Sequence, residues 1–159
     1  VYVDVRDREL EKLLTGKKRM IVRGASGRKM PYGRVQPHDR LFFVQNDGKC
    51  QVHACAEVTM VFDSPRLVGE ESRLLIEGNQ DQLQLSQTQT ERWIGKRYLV
   101  LISVSQATAV GPFSIDRNNY GAMDDWLPVG DIQSVCVDPL CDNVEPLSPV
   151  HASDRDRVS

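Results

Sequence analysis

The chain has 159 residues, of which 40% are apolar, 26% charged and 6% aromatic, and its formal net charge is -2. These values are typical of one globular domain and exclude fibrous, collagen-like and wholly disordered proteins. No uncharged apolar run approaches the roughly 18 residues of a transmembrane helix, so the sequence predicts no membrane span.

In chain order, helically spaced leucines predict a short amphipathic helix over residues 4–15, with Asp4 as its N-cap and Gly16 as its end. A β-branched centre predicts a strand over residues 20–23. The next segment, residues 24–32, is rich in Gly, Ser and Pro and predicts a loop.

Residues 41–45 and 51–62 have strand patterns, and the turn Asn46-Asp47-Gly48 between them predicts a β-hairpin with a long second arm. After this hairpin the period changes and predicts a helix that ends at Gly78.

A capping-box pattern, Ser86 with Gln89, predicts a further short helix that ends at Gly95. Residues 98–107 predict a strand with both faces buried, and two more strands are expected near residues 112–115 and 131–137.

Residues 1–137 are therefore predicted to form the domain, and residues 138–159 a flexible tail. The tail contains three prolines, alternating charges and few large apolar side chains. Such a segment buries too little surface to offset the entropy lost on ordering.

Charge is distributed unevenly along the chain. Residues 1–40 contain eleven Lys and Arg against five Asp and Glu, which gives +6, whereas the other nine basic and seventeen acidic residues give -8. Clustered basic side chains are typical of phosphate-binding surfaces, although the same charges also keep a domain soluble.

The four cysteines form two C-x4-C spacings, Cys50 with Cys55 and Cys136 with Cys141. An odd separation along one strand places the first two on opposite faces, so they cannot bind the same ion. The second two lie in a proline-containing segment without clustered histidines. We therefore expect reduced thiols in a cytoplasmic protein, with no metal site and no cofactor.

A short helix, the segment TGKKRMIVRG, a basic loop and the segment PYGRVQPHDRLFFV precede the long strand. This order resembles the ASCH family of PUA-like domains over roughly residues 6–135. The resemblance implies an α+β fold, a small β-barrel of about five to six strands flanked by short helices. It also implies a cleft at the mouth of the barrel, lined by Lys17, Lys18, Arg23 and the His38-Asp39 turn; His38 stands where relatives often have Gly.

The resemblance implies RNA or a modified nucleoside as the ligand, which agrees with the basic first quarter of the chain. Basic side chains would hold phosphates, aromatic rings would stack on bases and an Asn amide would contact a base edge. The predicted nucleic-acid-binding residues are Lys17, Lys18, Arg23, Arg28, Lys29, Tyr32, Arg34, Asn118, Tyr120 and Trp126. For Tyr120 and Trp126 simple packing is the alternative. Strand alternation predicts a solvated Arg19, and Trp93 is assigned to the core.

An enzyme is the second hypothesis, because some ASCH relatives hydrolyse the amide of N4-acetylcytidine with a Lys, a Thr or Ser, and a Glu. Lys18 matches the Lys, and Glu70 or Glu71 could match the Glu, but Ile21 stands at the position of the hydroxyl nucleophile. Ser26 would need an activating base to replace it.

Two further alternatives stay open. A ribonuclease could use His38 or His53 as an acid or base, and a protein interaction module could dock its basic half on an acidic partner. The motifs GxxxxGK[ST], GxGxxG, HExxH and GxSxG are absent from the sequence, which disfavours ATP-driven, NAD-linked and zinc-protease chemistry.

Overall fold

A computed structural model describes residues 1–121 and 125–137 of the chain. It contains six strands, four short helices and one 3₁₀ turn within these residues. In chain order they are β1 (Tyr2–Val3), α1 (Glu9–Leu14), β2 (Met20–Ala25), β3 (Arg40–Gln45), β4 (Gln51–Asp63), α2 (Glu71–Gly78), α3 (Gln80–Leu83), α4 (Gln87–Trp93), β5 (Tyr98–Val104), β6 (Thr108–Ser114) and the 3₁₀ turn Ile132–Ser134.

The strands form one mixed sheet in the order β1-β3-β4-β5-β2, and β6 pairs with the first half of β4. β1 is parallel to β3 and the other pairs are antiparallel. The pairing registers of β4 with β3, β5 and β6 each shift once, and such bulges increase the local twist of a sheet. The sheet curls into a half-barrel flanked by the helices, which confirms the predicted α+β, PUA-like architecture.

Both faces of the sheet carry a hydrophobic core, because successive residues of β2 and β5 point to opposite sides. On one face Ile21 and Ile102 pack with Leu13 of α1. On the other face Val22 and Leu101 belong to the cluster that includes side chains of α2 and α3. This double burial explains the apolar composition of β5, as its sequence predicted.

The hairpin, the capping box and the end of α2 at Gly78 follow the sequence predictions. α1 is shorter than expected, because residues 5–8 form a turn closed by the Asp4 carboxylate, which accepts a hydrogen bond from the Arg6 N–H at 2.8 Å. The predicted strand over residues 131–137 is wrong. Ile132–Ser134 is a 3₁₀ turn capped by Asp131, and only Cys136 makes a β-bridge, with Ile115.

The expectation of four reduced thiols is also corrected. Cys50 and Cys55 are free, but Cys136 forms a disulfide. Its partner and the predicted tail, residues 138–159, lie outside the described residues. None of the helices in the described ranges combines the length and the apolar character that a bilayer crossing requires.

Candidate functional site

Arg23 is a buried cation at the centre of the candidate site. It is 9% exposed, although it lies within a strand whose neighbours are apolar. Its two Nη atoms donate hydrogen bonds to backbone carbonyls, Nη1 to Val22 at 2.8 Å and Nη2 to Tyr2 at 2.7 Å. Its Nε lies 3.2 Å from Asp125 Oδ2, but the two atoms are not aligned for a hydrogen bond, so Nε keeps an unused donor.

Two cavities meet at Arg23. The larger has a volume of about 490 Å³ and extends toward β1, α1 and α4, while the smaller has about 220 Å³ and extends toward the loop after β2. Arg23, Trp93 and Asp125 belong to the walls of both. We call the two cavities together the Arg23 cleft.

The loop after β2 forms the basic edge of the smaller cavity. Lys29 is exposed and lines the cavity. The neighbouring Arg28 guanidinium lies over two tyrosine rings, 5.8 Å from the centroid of Tyr32 and 5.5 Å from that of Tyr98. These rings contact each other edge to face at 5.5 Å, and the Tyr32 hydroxyl donates a hydrogen bond to the Ser64 carbonyl. Both tyrosines are therefore held in place as part of the wall.

Helix α4 supplies one wall of the larger cavity. Gln89, Arg92 and Trp93 all line it, since residues three and four apart share one face of a helix. The assignment of Trp93 to the core is therefore only half correct. The ring packs against the helix-side core cluster, yet it is half-buried and lines both cavities.

Lys18 lies behind the wall of the larger cavity and does not line it. Its side chain is fully buried; Nζ donates a hydrogen bond to the Leu83 carbonyl at 2.5 Å and lies 3.6 Å from Glu9 Oε1. Burial lowers the pKa of Lys18 to about 8, although the adjacent Glu9 carboxylate acts in the opposite direction. Glu9, unlike Lys18, does line the larger cavity.

Five of the predicted binding residues lie elsewhere. Lys17 is exposed and belongs to neither wall of the cleft. Trp126 is 7% exposed in the core, with the Arg23 guanidinium 5.9 Å from its ring centroid, and it lines a separate cavity of about 380 Å³ together with Arg34. Tyr120 packs on the cluster around β6 and bonds the Pro128 carbonyl at 3.3 Å. Asn118 is exposed, and its N–H bonds the Asp116 carboxylate at 2.9 Å.

The residues assigned to hydrolysis do not assemble around Lys18. Glu70 pairs with Arg73 at 2.7 Å, and Glu71 accepts a hydrogen bond from the Val68 N–H at 2.9 Å. Ile21 is fully buried in the core, and Ser26 is exposed outside both cavity walls. The acid beside Lys18 is therefore Glu9, which the sequence analysis treated only as part of the first helix.

The two histidines considered for ribonuclease chemistry also lie outside the cleft. His38 Nδ1 is 3.1 Å from Glu57 Oε1 on the surface, and His53 is half-buried on β4. Neither lines a cavity wall.

The wall residues that sequence reasoning missed include Glu9, Gln89, Arg92 and Asp125. For Glu9 the signal was a charged residue next to the first apolar position of a helix, which is ordinary on a surface helix. For Gln89 the capping box explained the residue without reference to a cavity. In residues 1–121 and 125–137, no group of three or more His, Cys, Asp or Glu side chains could hold a metal ion.

Comparison with known proteins supports the fold. No protein-family profile and no curated protein matches the chain. A crystal structure of ASCH from Zymomonas mobilis matches with a TM-score of 0.55 and 13% identity, covering 76% of this chain and 80% of that chain.

Crystal structures of two mutant forms of the same protein match similarly. One has a TM-score of 0.55 at 13% identity over 76% of this chain and 82% of that chain; the other has 0.54 at 11% over 71% and 72%. Identities this low establish a common fold and nothing finer. Together with the curled sheet and its flanking helices, they show that the chain has an ASCH-type, PUA-like fold.

Proposed function

We propose that this chain is an RNA-binding or modified-nucleoside-binding module whose ligand enters the Arg23 cleft. The observation that carries the proposal is the position of Arg23, a buried cation with an unused donor where two cavities adjoin. The counter-charge of Arg23, the Asp125 carboxylate, is more than half exposed, so an anionic or hydrogen-bond-accepting ligand can join or replace it as a partner of this buried cation.

The mouth of the cleft suits a phosphate group. Arg28 and Lys29 are exposed beside the smaller cavity, and Arg92 is exposed beside the larger one. Each can rearrange toward a phosphate, since none makes an ion pair with another described residue. Phosphate contacts release counterions, so binding through these side chains would weaken as salt rises.

The interior of the cleft suits a base. Trp93 provides a half-buried aromatic face that borders both cavities, and unpaired bases in RNA complexes usually stack on such rings. The larger cavity, at about 490 Å³, falls within the range of pockets that hold small molecules. Together these features fit one nucleotide inserted from a flexible strand, or a free nucleoside.

The test is binding of the full chain to short labelled single-stranded RNA at two salt concentrations, with duplex RNA, DNA and nucleosides as competitors. The double variant Arg28→Ala/Lys29→Ala should weaken binding about tenfold or more and reduce its salt dependence, because two phosphate contacts are removed. The matched control is Lys17→Ala/Arg19→Ala, which removes two exposed charges outside the cleft and should have a much smaller effect.

If both double variants bind RNA alike, the cleft is not the site. If neither RNA nor nucleosides bind the wild-type chain, the proposed function is wrong, and capture of an acidic protein would then favour the interaction-module alternative.

Hydrolysis ranks below binding for a structural reason. Among the described residues, neither cavity wall contains a Ser or Thr hydroxyl, and the Lys18 amine is held behind the wall by Glu9 and a carbonyl. A lysine of pKa about 8 would be a suitable general base if a ligand reached it. Turnover of N4-acetylcytidine that disappears in Lys18→Met, with the fold intact, would support this second function.

A cytoplasmic location remains a prediction. The Cys136 disulfide argues against it, since disulfides persist mainly in oxidising compartments. Thiol titration of the chain isolated under thiol-blocking conditions would distinguish a disulfide-bonded Cys136 from a reduced one.

A further inference from the structure

Gln89 has a donor group that the fold leaves unused. It is N3 of α4 and is 3% exposed. The Ser86 N–H donates to its Oε1 at 3.1 Å, and the Ser86 hydroxyl accepts from its backbone N–H at 3.2 Å. Because the Ser86 N–H can only donate, the amide atom that faces it must be the oxygen. The capping box therefore fixes the orientation of the amide, and Nε2 has no hydrogen-bond partner in the described part of the chain.

Two acceptor groups in the wall of the larger cavity already have partners. Glu9 Oε2 already accepts from the Asp4 N–H at 2.6 Å, and Asn46 Oδ1 accepts from the Val5 N–H at 3.1 Å. By contrast, Gln89 lines the same cavity, and its Nε2 has no acceptor among the described residues. A ligand that supplies an oxygen acceptor beside this donor is therefore favoured.

We propose that Gln89 is a specificity-determining residue of the Arg23 cleft, whose free Nε2 donates to a carbonyl oxygen and thereby selects oxo-bearing nucleobases over amino-bearing ones. This inference rests on the proposed function. An amide free to turn could accept from an amino group as readily as it donates to an oxo group, as Asn and Gln do at adenine. In Gln89 the capping box holds the oxygen toward the Ser86 N–H, so Nε2 is the amide atom that is left without a partner.

Two pairs of ligands isolate this preference. Inosine and adenosine 5'-monophosphates differ at the oxo or amino group of a purine and at the adjoining ring nitrogen, and uridine and cytidine 5'-monophosphates differ in the same way for a pyrimidine. We expect the oxo member of at least one pair to bind about tenfold tighter by calorimetry, since sites with committed hydrogen-bonding groups reject mismatched partners.

The decisive variant is Gln89→Glu. A Glu at N3 preserves the capping box, because its carboxylate still accepts from the Ser86 N–H. The second carboxylate oxygen then replaces the N–H donors with an acceptor. The ratio of the affinities for the oxo and the amino member should therefore fall to one, or the amino member should bind more tightly. The matched control, Gln87→Glu, adds the same charge at an exposed position of the same helix and should preserve the wild-type preference.

The outcomes separate this inference from the function on which it rests. An oxo preference lost in Gln89→Glu and kept in Gln87→Glu supports it. Equal affinity within both pairs, or a preference that survives Gln89→Glu, overturns the role of Gln89 while nucleotide binding upholds the function. Salt-sensitive RNA binding without any mononucleotide binding also overturns it, because no base would then be read in the cavity. Absence of both kinds of binding overturns both proposals.

Discussion

Glu9 of α1 and Lys18, two residues before β2, form an ion pair inside the protein. Lys18 Nζ lies 3.6 Å from Glu9 Oε1, and the two side chains are 0% and 8% exposed. Glu9 also lines the larger cavity, so this pair connects the buried Lys18 ammonium to the wall of the Arg23 cleft. The pair explains how a lysine can be accommodated in the interior next to Arg23.

Glu9→Gln should destabilise the domain by about 3 kcal/mol at neutral pH, because it leaves the buried Lys18 ammonium without its counter-charge. The variant is nearly isosteric, and its amide oxygen can still accept from the Asp4 N–H. Urea denaturation followed by fluorescence measures the change. Glu11→Gln is the control: Glu11 pairs with Arg8 at 3.3 Å on the surface, and loss of such a pair should cost less than about 1 kcal/mol.

Stability should also depend on the ionisation of Lys18 at alkaline pH. Burial lowers the pKa of Lys18 to about 8, while an unfolded lysine titrates near about 10.4. Between these values the unfolded chain binds more protons, so the free energy of unfolding contributed by Lys18 increases with pH. The gain is on the order of 3 kcal/mol across the interval.

The measurement compares wild type with Lys18→Met at several pH values across this interval. Tyr2 and Cys55, whose pKa values are raised by burial, are present in both proteins, so their titration cancels in the difference. A difference in stability that stays constant with pH would show that Lys18 titrates as an exposed lysine.

Gly24 makes a tight contact between β2 and β5. A Cβ at this position would lie 2.6 Å from Leu99 Cδ2 and 3.1 Å from the Tyr98 carbonyl oxygen, which is backbone and cannot easily move. Gly24→Ala should therefore cost about 1–3 kcal/mol. Gly27→Ala is the control, since nothing lies within 4 Å of its Cβ, and thermal unfolding should separate the two variants by several degrees.

The sequence predicts this fold where one local signal determines the structure. The Asn46-Asp47-Gly48 turn and the Ser86 capping box are determined by local hydrogen bonds and φ angles, and both form as predicted. The segment around Ile132 alternates like a strand, but no strand lies beside it over its length, so it forms a 3₁₀ turn. Tertiary pairing, which is not encoded locally, decides that segment.

The candidate site was only partly predictable for the same reason. Arg23, Lys29 and Tyr32 are close in sequence to the loop that forms the smaller cavity, and the pattern located them. Gln89 and Asp125 reach the cleft from distant segments. Lys18 was predicted to line the cleft, but its Nζ donates to the Leu83 carbonyl and forms an ion pair with Glu9 behind the wall of the larger cavity.

His38 occupies a backbone conformation that favours glycine. Its φ is +80°, and its backbone N–H donates a hydrogen bond to the Val58 carbonyl at 2.8 Å. A side chain with a Cβ costs roughly 1–2 kcal/mol in the left-handed region relative to glycine, less the entropy that glycine loses on folding. The surface pair with Glu57 offsets at most about 1 kcal/mol of this strain.

His38→Gly should therefore be more stable than His38→Ala by about 1 kcal/mol. Both variants lose the pair with Glu57, so their difference reports only the backbone. Wild type should lie between the two, because its side chain keeps the contact with Glu57 but also the strain. Urea midpoints of the three proteins at one pH measure this order. If the Gly and Ala variants unfold together, the turn has adjusted to a conformation that tolerates a side chain, and the strain assigned to His38 is not there.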